Sequence, residues 1–221
     1  MNEQERAEEH LKTIRRLMER ATIYRAISAP TALVGGVLSL VASGFYLKWR
    51  TLHPGGWGDI WGPRSLFLKL WLAVLLITAG ANTLFIVIGA RKRNEPVFSA
   101  SMKTALTALA PAFIVGAAFT ICRIGTGRGP GTEASMSVVW AICYGVGLLA
   151  TSHFAPRSLT ILGWAFLLSS IAGLMFLHFG TFVLFGAIND PAALFMALTF
   201  GLFHLIYAAC AWPRKGAPSE L

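Results

Sequence analysis

Six apolar stretches free of Asp, Glu, Lys and Arg alternate with short polar segments along this chain, over 26–47, 70–90, 104–122, 134–156, 158–189 and 191–213. An α-helix rises ~1.5 Å per residue, so about 20 apolar residues cross a ~30 Å hydrocarbon core. The pattern predicts an all-α integral membrane protein, a six-transmembrane-helix bundle with spans at about 26–47, 65–90, 103–122, 134–154, 158–179 and 191–212. Ahead of it, residues 1–25 place Leu11, Ile14, Met18 and Ala21 at three- and four-residue intervals, which predicts a short amphipathic helix on the cytoplasmic surface. Residues 214–221 are a polar tail.

Local signals set several boundaries. Ser28 can cap the first span, with Pro30 tolerated in its first turn. Asn189-Asp190-Pro191 is a strong start signal for the last, with Asp190 as N-cap and Pro191 in the first helical position. The 158–189 stretch exceeds what a bilayer needs. A break near Gly180 would leave 181–188 as a turn or a short re-entrant piece. Pro111 removes one backbone bond inside span 3 and frees the Thr107 carbonyl, predicting a bend. The glycine-rich run 125–131 is a loop that divides the spans three and three, but Pro111 has no counterpart in span 6, so no inverted repeat is assigned. Gly35, Ser39 and Ser43 fall on one face of span 1 as small residues that let backbones approach. Packing within the chain is the first use for that face, and a homodimer the second.

Composition agrees with the pattern: 13% of residues are charged, against ~25% in an average soluble chain. The net charge of +9 is topological in origin rather than a nucleic-acid footprint. Thirteen Lys and Arg fall in the tails and loops on the side of the termini and six on the other. The positive-inside bias then places both termini in the cytoplasm of a cell inner (plasma) membrane. The first outer loop carries Trp57 and Trp61 four residues apart, suited to the outer interface or to a partner.

Chemistry-bearing residues are few. All ten acidic residues lie outside the apolar stretches, which argues against proton- or sodium-coupled sites. Cys122, Cys143 and Cys210 have no metal-ligand spacing and no disulfide is expected. No hydrolase or metalloprotease motif is present. A bis-histidine haem needs two ligands at one depth. His178 and His204 fall about 30 Å from the inner face and about 20 Å from the outer face, so no cofactor or metal is expected. Counting helical rise from the ends of the apolar stretches places Asn82, Tyr144 and His204 in one central polar layer, with Ser39, Ser169 and Ser170. That layer is the candidate ligand site, and Leu11, Ile14, Met18, Trp57 and Trp61 are the candidate partner contacts.

Two functions follow as expectations. The first is a non-enzymatic accessory, assembly or regulatory component acting through a protein partner in the bilayer. The second is a small-molecule carrier or channel, uncoupled to protons or sodium, that uses the central layer. An intramembrane enzyme or haem protein ranks third.

Overall fold

A computed structural model describes residues 4, 6, 8–14, 29–53, 63–93, 100–126, 132–152, 155–179 and 190–212, and its regular elements are helical throughout. Six helices are long and apolar enough to span a membrane. They are α1 (Ala29–Leu52), α2 (Pro63–Arg93), α3 (Ala100–Thr126), α4 (Thr132–Ala150), α5 (Arg157–Phe179) and α6 (Pro191–Ala211). Residues 8–14 are also helical, with Leu11 and Ile14 exposed. Ser28, Met18, Trp57, Trp61 and 181–188 lie outside the described residues.

Small residues set the helix crossings. In a bilayer no water is released when apolar helices meet, so close packing and hydrogen bonds must hold them. α1 and α2 run antiparallel in a steady register: Tyr46 packs edge-on against Phe67 at 5.3 Å between ring centroids, Gly35 faces Thr78, and the Thr31 hydroxyl donates to Asn82 Oδ1 at 3.1 Å. Gly36 meets α6, where a Cβ would stand 3.0 Å from the Gly201 carbonyl oxygen. Ser39 and Ser43 are buried on the same side of α1, so its small-residue face is occupied inside the chain. α4 and α5 cross where Gly145 and Gly163 each stand against the other's backbone.

Two apolar clusters fill the interior. One, around Phe166, joins Ala32, Ala141, Leu148, Leu159, Leu162 and Tyr207. The other, around Phe67, joins Tyr46, Trp71, Ala192, Ala193 and Met196 at the end where α6 begins. Large apolar side chains also cover the outside, among them Leu76 and Ile77 of α2, Ile114 and Val115 of α3, and Ile161 and Leu168 of α5. A water-soluble monomer would not expose so much contiguous apolar surface, whereas lipid tails cover it without cost.

The Asp190 signal works as its chemistry requires. Its carboxylate accepts from the Ala193 amide at 3.1 Å and Pro191 occupies the first turn. The same carboxylate meets Arg50 Nε, at the far end of α1, at 3.4 Å. Asp190 is buried, and this desolvation raises its pKa above the ordinary carboxylate value despite the amide bond and the Arg50 guanidinium, which pull it down. α3 continues through Pro111, and the Thr107 hydroxyl, one turn earlier, donates back to the carbonyls of Lys103 and Thr104.

α6 is not uniform. Between α-helical Pro191–Met196 and His204–Ala211, residues Ala197–Phe203 form a π-helical stretch. Such widened turns are rare and frequently lie at functional sites.

Candidate functional site

α2 and α3 follow one another in sequence yet scarcely touch along their length. The gap between them leads into a cavity of about 580 Å3. Its walls are apolar: Leu68, Leu72 and Leu75 on α2 face Phe113, Ala117 and Ile121 on α3. Trp71, Trp140, Met196 and Phe200 close the end toward Asp190, and Gly35 and Ser39 of α1 form part of the back. Among the described residues, no Lys, Arg, Asp or Glu lines it. The volume falls within the range of about 300–1,000 Å3 usual for ligand pockets.

Tyr144 and His204 stand at the floor, with Tyr144 Oη and His204 Nε2 2.8 Å apart. His204 Nδ1 lies 2.9 Å from the Phe200 carbonyl oxygen. A carbonyl only accepts, so Nδ1 carries the proton. With no carboxylate inside the spans to pair it, the imidazole is neutral and Nε2 is bare. Tyr144 therefore donates its hydroxyl proton to Nε2. His204 directly follows the π-helical stretch, and its amide bonds to the Gly201 carbonyl.

Aromatic rings hold the pair in place. Phe166 packs edge-on to Tyr144 at 4.8 Å and to Phe200 at 4.9 Å, while Phe200 stacks over His204 at 6.1 Å. Two further polar side chains on the wall are bonded to each other: Trp140 Nε1–H donates to Thr120 Oγ1 at 2.7 Å, and Thr120 donates to the Gly116 carbonyl at 2.8 Å.

The expected central layer is only partly assembled. Tyr144, His204 and Ser39 meet at the cavity, but Asn82 does not line it and bonds to Thr31 instead. The difference is one of starting point. Depth counted from Leu70 makes Asn82 level with His204, whereas α2 begins at Pro63. From there Asn82 is 82 − 63 = 19 residues along, about 28 Å. His204 is 204 − 191 = 13 residues along α6, about 20 Å, and Tyr144 is 144 − 132 = 12 along α4, about 18 Å. The residue of α2 at the right height is Thr78, one turn earlier on the same face. It lines the cavity, and its hydroxyl is buried with no hydrogen-bond partner among the described residues. Ser169 and Ser170 do not line the cavity, and the Ser170 hydroxyl donates to the Phe166 carbonyl within its own helix. Among the described residues, no three His, Cys, Asp or Glu side chains converge as a metal site would require.

No family model matches this sequence, and no curated protein or solved structure matches the chain.

Proposed function

We propose that this chain is a multi-pass inner-membrane protein, both termini cytoplasmic, that takes a neutral and largely apolar molecule from the bilayer into the cavity between α2 and α3. The cavity carries this reading: it combines apolar walls, an open side between two helices and one oriented polar pair at mid-depth. The absence of charged lining groups among the described residues speaks against ions as cargo, since a desolvated ion needs counter-charge or many dipoles. The reading is thus a carrier or sensor of a membrane-dissolved compound, with no chemical step assigned.

The test uses the tryptophans of the wall. In protein whose other tryptophans (Trp49, Trp57, Trp61, Trp164 and Trp212) are replaced by Phe, Trp71 and Trp140 report on the cavity. A long hydrocarbon brominated at mid-chain should quench them saturably in lipid nanodiscs, and Ala117→Phe, which fills the wall, should abolish the saturable part. Quenching that only rises linearly with probe, unchanged by Ala117→Phe, would refute a cavity site.

A second reading, an accessory component engaging a protein through the N-terminal helical segment, draws on the exposure of Leu11 and Ile14. Leu11→Ser with Ile14→Ser should then release a co-purifying partner while insertion is retained. Retention of the partner by this variant would set that reading aside.

A further inference from the structure

The hydrogen bonds around the cavity floor have a direction, and the direction selects a ligand. We infer, resting on the cavity reading above, that the bound molecule ends in a hydroxyl: a lipid-like alcohol rather than an ester, a ketone or a fatty acid.

The donors near the floor are largely spent within the protein. Tyr144 gives its proton to His204 Nε2, and His204 Nδ1–H is held by the Phe200 carbonyl. Trp140 N–H is held by Thr120, whose own proton goes to the Gly116 carbonyl. What the pair leaves available is the phenolic oxygen of Tyr144, an acceptor made more electron-rich by the bond it donates.

An alcohol answers that acceptor, its O–H donating to Tyr144 Oη. An ester or ketone can only accept, and leaves the Tyr144 acceptor unanswered. A carboxylate would do the same and bring a charge into a cavity with no Lys or Arg on its walls among the described residues. A site whose polar groups are matched by one functional group rejects analogues that leave those groups unpaired.

The experiment compares four mid-chain-brominated probes of equal length in the same Trp71/Trp140 protein: the primary alcohol, its methyl ether, the methyl ester and the acid. The alcohol should reach half-saturation at a concentration about tenfold lower than the ether or ester, as one hydrogen bond of ordinary strength implies. Tyr144→Phe should remove most of that advantage while leaving ether quenching unchanged, which also reports that the cavity survives the substitution. Saturable quenching by all four with equal strength would overturn the hydroxyl inference and leave the cavity reading standing. Preference for the ester or the acid would overturn it too, by reversing the polarity of the floor. Absence of saturable quenching by any probe would overturn both.

Discussion

Gly145→Ala is the substitution whose cost follows most directly from geometry. A Cβ at Gly145 would lie 3.0 Å from the Gly163 carbonyl oxygen, 3.0 Å from the Leu167 amide nitrogen and 3.1 Å from Phe166 Cβ. Two of these are backbone atoms and cannot turn aside, so α4 and α5 must separate. Comfortable contact for carbon begins near 3.5 Å, which sets the separation at roughly half an ångström, and a gap of that size forfeits about a quarter of the dispersion well. The loss is spread over the cluster around Phe166 that these helices share. Overpacking of this kind costs about 1–3 kcal/mol, against which alanine returns about 0.5–1 kcal/mol as a better helix former. The net expectation is a destabilisation of about 1–2 kcal/mol. Gly80→Ala supplies the reference, because nothing stands within 4 Å of its Cβ position and only the helix-forming gain of about 0.5–1 kcal/mol applies. Unfolding by increasing SDS fraction in mixed micelles, followed by circular dichroism, should separate the two variants by about 2 kcal/mol. Tyr144 precedes Gly145, so the displaced helix should also weaken binding of the brominated alcohol. A Gly145→Ala protein as stable as Gly80→Ala would refute the claim that this crossing is set by backbone contact.

Three further outcomes are expected. Tyr144→Phe leaves His204 Nε2 buried without a donor and should lower stability by about 1 kcal/mol in the same titration, a typical value for one interhelical bond in a membrane; an unchanged midpoint would mean the pair contributes nothing to folding. Asn82→Ala and Thr31→Val should each destabilise by a similar amount, about 1 kcal/mol, yet leave probe quenching intact, because their bond lies about 9 Å from the height of His204; loss of quenching in either would restore Asn82 to the site. Asp190→Asn keeps an N-cap oxygen and removes the charge. Since burial raises the Asp190 pKa in the folded protein, its stabilising contribution is full below the ordinary carboxylate pKa and declines as pH rises through the folded value. Thermal midpoints of wild type and Asp190→Asn across the acidic range should therefore diverge as pH rises, with wild type losing ground, and parallel curves would contradict this.

The six helices were legible in the sequence because their signal is an average over many residues: one charge-free stretch of sufficient length predicts a span whatever its details. Asp190 and Pro191 were legible for a different reason, since capping depends on neighbouring residues alone. The site was harder because it requires relative heights. Residues 63–69 read as loop and helix start together, carrying Arg64 and Lys69 among apolar residues, and a charge-free count begins only after them. Seven residues of helix are about 10 Å, enough to move Asn82 out of the layer and bring Thr78 into it.

What the sequence did not announce at all is the π-helical stretch that carries Phe200 and ends at His204. The Phe200 carbonyl fixes the imidazole, which in turn fixes the direction of the Tyr144 hydroxyl. The nearest sequence trace is Gly201, where a Cβ would stand 2.6 Å from Leu40 Cδ2. That glycine reads equally well as ordinary small-residue packing, so it could not reveal the altered hydrogen bonding. Two of the interhelical bonds between polar groups of the spans thus do different work. Thr31 with Asn82 ties α1 to α2 outside the cavity, whereas Tyr144 with His204 ties α4 to α6 at its floor and still presents an unshared oxygen lone pair to whatever enters. Only a bond that leaves an acceptor facing open space can both hold helices together and recognise a ligand, which is why the second bond, and not the first, carries the functional reading.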